Sequence, residues 1–171
     1  MAERLDPDEV PKAAGHLYRY ELAASYLKTA ELVVDVASGI GYGAEIIARK
    51  PVDYIGVDKI EPADQFANIG IFFSGVDLDE WEPDFYWDVS VSFETLEHVV
   101  NPERLAGILK RARRLIILST PTRPTKHVNP FHLHDFTVDE VLAMFDDWDL
   151  VHLEDQPSEL SHIFVWSRRA V

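Results

Sequence analysis

Asp35, Asp58 and Asp77 each close an apolar run and precede a turn. The first belongs to VVDVASGIGYG (33–43), where Gly39, Gly41 and Gly43 follow the acid. Glycine lets backbone approach a ligand that a Cβ would hold away. A carboxylate at such a turn repels phosphate and attracts a cation, so the turn suits an ammonium or sulfonium group better than a pyrophosphate. Asp58 stands where a strand-end carboxylate accepts hydrogen bonds from two ribose hydroxyls. Asp77 stands where an adenine edge would lie. A tight strand-to-helix turn with solvated acids would use the same residues.

A nucleoside that carries positive charge and no phosphate answers these requirements, and S-adenosylmethionine is such a molecule. Other chemistry is narrower. No cysteine is present, which removes disulfides, thiolate metal sites and cysteine nucleophiles. His127, His132, His134 and Asp135 share a Pro- and Asn-rich loop; His and Asp do bind zinc and iron, but no metal is expected here. Sixteen basic against thirty acidic residues give a formal charge of −14. That field disfavours broad binding to nucleic acid or anionic membrane. The basic KRARR (110–114) reads as the last turn of a helix, where cations suit the dipole.

These residues need a scaffold, and the hydrophobic pattern supplies one. Helical spacing predicts a helix over 13–28, then a strand at 31–36 stopped by glycine. A helix at 42–50 ends before Pro51. Strands follow at 52–58, 69–77 and 86–92, a helix at 101–113 with Pro102 after an Asn cap, and a strand at 114–120. Thr137 and Glu140 have capping-box spacing for a helix at 137–145. Strands at 148–154 and 162–168 have no helix between them. The pattern predicts an α/β Rossmann-like fold: a doubly wound, mostly parallel seven-stranded sheet with a C-terminal antiparallel strand pair. Pro62 leaves room for only a turn or two of helix in 59–68. Residues 1–12 are expected to be a flexible segment and 13–171 one domain. The acidic MAERLDPDEVPK lacks the apolar core of a secretory signal, and no apolar run reaches the ~20 residues of a membrane span, so a cytoplasmic protein is expected.

VVDVASGIGYG resembles the first motif of class I S-adenosylmethionine-dependent methyltransferases, with Ala37 where many members have glycine. IGVD (55–58) resembles their second-strand motif. FETLEHVVNPERL (93–105), STPTRPTKHVNPFHLHDFT (119–137) and HLYRY (16–20) resemble segments of small domains with an ETLEH signature, STPN…NPFH…EFT and an HLHRY box. The usual Gly-Gly turn before the fifth strand is absent from KRARRLIIL.

The resemblance implies a methyltransferase that uses S-adenosylmethionine on oxygen or nitrogen of a small-molecule acceptor. A non-catalytic domain that binds the same nucleoside or regulates a partner is the alternative. The resemblance implies that Asp35, Gly39 and Gly41 hold the methionyl part, with Arg19 paired to its carboxylate and with Ala37 and Tyr42 also among the cofactor-binding residues. Asp58 would hold the ribose, Asp77 and Leu78 would flank adenine, and Phe93 with Glu94 would close the pocket. Glu97 and His98 would serve proton transfer, His98 having a suitable pKa range. The loop carrying His132 and His134 would line the acceptor side.

Overall fold

The computed structural model describes residues 8, 10 and 13–170; the expected flexible segment lies almost wholly outside them. Seven strands form one sheet in the order β3-β2-β1-β4-β5-β7-β6. β1 (Leu32–Val36), β2 (Asp53–Val57), β3 (Ile71–Phe73), β4 (Trp87–Phe93) and β5 (Ala112–Pro121) are parallel neighbours. β7 (Ser161–Arg168) runs antiparallel between β5 and β6 (Trp148–Gln156), so β6 is one edge of the sheet and β3 the other.

Both faces of the central strands are buried, which is why their apolar runs are continuous rather than alternating. Val33, Val89 and Ile117 pack with Tyr20 and Ala23 of α1 (Ala14–Tyr26) and Ile46 and Ile47 of α2 (Tyr42–Ile47). Val34, Val36 and Ile116 pack on the other face with Leu105 and Leu109 of α3 (Pro102–Leu109) and Val141 of α4 (Val138–Met144). Phe145, Phe164 and Trp166 stack beside them. Asn101 caps α3 by accepting from the Arg104 amide, and Thr137 and Glu140 form the reciprocal capping box of α4.

Three expectations are corrected. α3 stops at Leu109 and β5 begins at Ala112, so KRARR is a turn and strand start rather than a final helical turn. Its cations have partners of their own: the Arg111 guanidinium lies 4.4 Å from the Tyr86 ring centroid and donates to the Phe85 carbonyl at 2.9 Å, while Arg114 pairs with Glu31. β3 covers only residues 71–73, because its edge is solvent-facing and Gly75 turns away at φ +74°; Asp77 lies in the loop beyond. The α2 helix also ends at Ile47, one turn before Pro51.

Candidate functional site

A cleft of about 770 Å³ opens where the carboxyl ends of β1, β2 and β4 release their loops, the place where open α/β sheets bind ligands. Its first wall is the glycine turn. Gly39 has φ +57°, and a Cβ there would enter open space. Gly41 has φ +89°, but its missing Cβ makes room for Phe72 and Phe66 rather than for the cleft. Ala37 and Glu94 line the cleft in left-handed conformations, φ 70° and 49°. Such strain in non-glycine residues is concentrated where surrounding structure holds a working site.

Asp58 directly follows β2 and borders the cleft. Its carboxylate accepts from the Gly39 amide at 2.9 Å and the Ile60 amide at 3.1 Å, which fixes the glycine turn to the end of β2. Asp77 and Leu78 line the same side, and Lys59 donates to Asp77 at 2.7 Å. That bond, with a second from the Asp79 amide, outweighs the opposing effect of burial and holds the Asp77 carboxyl below its ordinary range. Tyr42 and Phe93 complete this half of the lining.

Glu97 and His98 stand opposite, just beyond β4. Glu97 is fully buried: Oε2 accepts from Thr120 Oγ1 at 2.9 Å, while Oε1 has no hydrogen-bond partner. Burial, with the charge of Glu94 adding to it, pushes its carboxyl well above the usual range. His98 Nδ1 faces the Phe131 carbonyl at 3.0 Å, and its Nε2 lies 3.7 Å from Glu97 Oε1. The Leu133 and His134 amides both donate to the Glu97 carbonyl, which pins the 122–136 loop across the cleft. His132 thereby packs edge-on against His98, ring centroids 4.7 Å apart.

Besides Gly41, three expected site residues lie outside the lining. Asp35 is completely buried beneath the cleft, where Tyr20 and Tyr54 hydroxyls donate to Oδ2 at 2.8 and 2.7 Å. It is not in the lining, because the two tyrosine rings occupy the space beside it. Arg19 is likewise buried out of the lining: Nε donates to Gln156 at 2.7 Å, and Nη2 lies 3.4 Å from Glu94 and 3.9 Å from Glu159. His134 turns away, its Nε2 3.0 Å from the Val99 carbonyl and its ring stacked on Phe136. The sequence cluster of His127, His132, His134 and Asp135 therefore does not converge; the Asp135 carboxylate instead accepts from the Thr125 amide.

The cleft also includes residues that carried no sequence signal of their own, among them His16, Thr125, Asn129 and Glu159. His16 hydrogen-bonds with Tyr42 at 3.1 Å, and burial, helped by Arg19, depresses its pKa to about 4. Only HLYRY hinted at it. Trp81, by contrast, stacks on buried Trp87 and packs with the core.

A family model described as a methyltransferase domain matches residues 9–171. The chain belongs to the methyltransferase-domain family. This methyltransferase domain is 31% identical over 134 residues to a protein of Mycobacterium tuberculosis named a probable S-adenosylmethionine-dependent methyltransferase, which covers 70% of this chain and 48% of that one. A protein of Mycolicibacterium smegmatis with a similar name is 27% identical over 129 residues, covering 67% and 49%. The domain thus spans about half the length of the curated relatives it matches.

Among solved structures, the magnesium protoporphyrin IX methyltransferase of Synechocystis PCC 6803 with bound S-adenosylhomocysteine superposes with a TM-score of 0.74 at 14% identity, over 99% of this chain and 90% of that one. The 1,6-didemethyltoxoflavin-N1-methyltransferase of Burkholderia thailandensis gives 0.69 at 14%, over 99% and 93%. At such identities the likeness shows the fold: the Rossmann-like sheet, mostly parallel with antiparallel C-terminal strands. Among the described residues no helix is long and apolar enough to cross a membrane.

Proposed function

We propose that this methyltransferase domain transfers a methyl group from S-adenosylmethionine to oxygen or nitrogen of a small-molecule acceptor. One observation carries the reading. A single cleft joins a bare glycine turn and a strand-end carboxylate, Gly39 and Asp58, to a histidine-lined wall at Glu97, His98 and His132. The first end suits the nucleoside and the second the acceptor.

On this reading Ala37, Gly39 and Tyr42 hold the methionyl part through exposed backbone and ring, and Asp58 takes the ribose hydroxyls. Asp77 and Leu78 border adenine. Phe93 and Glu94 close the floor. Asp35 and Arg19 act from outside the cleft: the first fixes Tyr20 and Tyr54 beneath the turn, and the second positions Glu94. The donor supplies an activated methyl, so the chain's task is to hold the acceptor atom in line with it. The acceptor's lone pair forms the new bond to carbon as the carbon–sulfur bond breaks, its electrons neutralising the sulfonium. Where the acceptor must lose a proton, His98 Nε2 or Glu97 Oε1 receives it.

A small acceptor is favoured because the cleft falls in the size range of small-ligand sites, about 300–1,000 Å³, and the formal charge of −14 opposes nucleic acid. The test is chromatographic detection of S-adenosylhomocysteine after incubation with the donor and fractionated metabolite or sugar-nucleotide pools. Product that appears with a pool and vanishes in Asp58→Ala supports the reading. Donor binding without product from any pool removes it and leaves a binding domain.

A further inference from the structure

We propose that Glu97, His98 and His132 form a binding site for one divalent first-row transition cation on the acceptor wall of the cleft. Each residue offers a ligand atom, and the three atoms lie within 4.8 Å of one another. Donors on a sphere of about 2.1 Å radius stand roughly 3–4 Å apart. Small side-chain rotations therefore close the set. Two imidazoles and one carboxylate with remaining positions open is a donor set that first-row divalent ions accept, and magnesium and calcium favour less.

Two features beyond the clustering point to a cation. The first is the unpartnered Oε1 of Glu97, on a side chain with no measurable exposure. A buried carboxylate oxygen without a donor is costly, and a positive charge is what it lacks. The second is the state of the two rings. A carbonyl can only accept, so the contact of His98 Nδ1 with Phe131 O puts the proton on Nδ1. In the neutral ring Nε2 is then a lone pair facing Glu97 Oε1.

His132 is fixed in the same sense. The Phe131 amide donates to Asn129 Oδ1 at 3.0 Å, so the Asn129 amide nitrogen is the atom 2.9 Å from His132 Nε2. That nitrogen only donates, so Nε2 is an acceptor and Nδ1–H meets Thr125 Oγ1 at 2.6 Å. Both rings therefore hold the tautomer that ligates through Nε2 while the other nitrogen is anchored, as metal-bound histidines are. Binding requires Asn129 to yield its hydrogen bond to His132. Phe131 and Thr125 are the supporting shell.

All three ligands line the cleft, so a bound cation's open positions face the acceptor. There it would take the place of His98 and Glu97 as proton acceptors, polarising an acceptor hydroxyl so that its proton leaves to solvent, which leans the acceptor toward oxygen. This use rests on the methyl-transfer reading above; the site itself does not. The competing arrangement is a proton held between Glu97 and His98 with no ion.

The experiment uses purified, chelator-treated protein with manganese or zinc chloride as the probe. Loss of the free manganese resonance signal and calorimetry with zinc should both report one site. His132→Ala and His98→Ala, checked for fold by circular dichroism, should each weaken it at least about 10-fold, and Thr125→Val about 10-fold through the supporting shell. Failure of either metal to bind overturns the proposal, as does binding that survives both histidine changes, which would place the ion on surface histidines. These readouts need neither donor nor acceptor, so they stand or fall separately from methyl transfer.

Discussion

Asp35 is a carboxylate at a strand end in the sequence and a fully buried group in the fold. Burial pushes its carboxyl up to about 7, against the opposing effect of the tyrosine hydroxyls, while the charge of Asp58 adds to the rise. In the unfolded chain an aspartate titrates near ~3.9. The fold thus favours the protonated form. That contribution is complete below about pH 4 and is lost as pH rises to about 7. Asp35→Asn should flatten this slope, as read from urea midpoints measured across the interval; parallel slopes in parent and variant would contradict the assignment. Ala37 makes a different residue-scale point. A left-handed alanine costs about 1 kcal/mol that glycine does not, yet glycine also loosens the unfolded chain. Ala37→Gly should therefore change stability by less than about 1 kcal/mol, whereas Ala37→Val, branched at the same φ, should lose about 1–3 kcal/mol. Chemical denaturation of both variants checks the contrast.

Between elements, the contact of α1 with α2 decides how the glycine turn is supported. A Cβ at Gly43 would sit 2.1 Å from Tyr20 Cε1, so the helix carrying Tyr20 could not approach. Gly43→Ala should cost about 1–3 kcal/mol by overpacking and should also disturb the Tyr20–Asp35 bond. Gly107 in α3 has nothing within 4 Å of such a Cβ, and Gly107→Ala should stabilise by about 0.5–1 kcal/mol. Thermal melts of the two alanines should move in opposite directions. Element ends were the least legible feature of the sequence. Apolar runs located the central strands, since burial on both sheet faces demands them. Where a helix stops depends on what the sheet needs next. β5 must reach Ala112 to pair with Trp87, and this cuts α3 short although the basic run would suit a longer helix.

For the molecule as a whole, the loops that leave β1, β2 and β4 converge on one cleft, so a ligand that spans them should stabilise the entire sheet. At about 100 times its dissociation constant, S-adenosylhomocysteine should add about 2.7 kcal/mol. For a chain of this size that is a rise in Tm of roughly 5–11 °C, readable by differential scanning fluorimetry. An unchanged Tm at saturating ligand would contradict the proposed cofactor site.

The order of strands, the two-faced core and the acids at strand ends were written in the sequence, because periodicity and breaker residues act locally along the chain. The convergence of Ala37, Gly39, Asp58 and Phe93 on one cleft followed from that order, since topology alone sends these loops to one end of the sheet. Only tertiary packing decided the rest. It withdrew Asp35 under two tyrosines and Arg19 behind Glu94. It also drew His132, rather than His134, to Glu97 and His98 by docking a distant loop on one backbone carbonyl. Neighbours separated by 15 or more positions are chosen by shape and hydrogen bonding across the fold, and no local pattern encodes that choice.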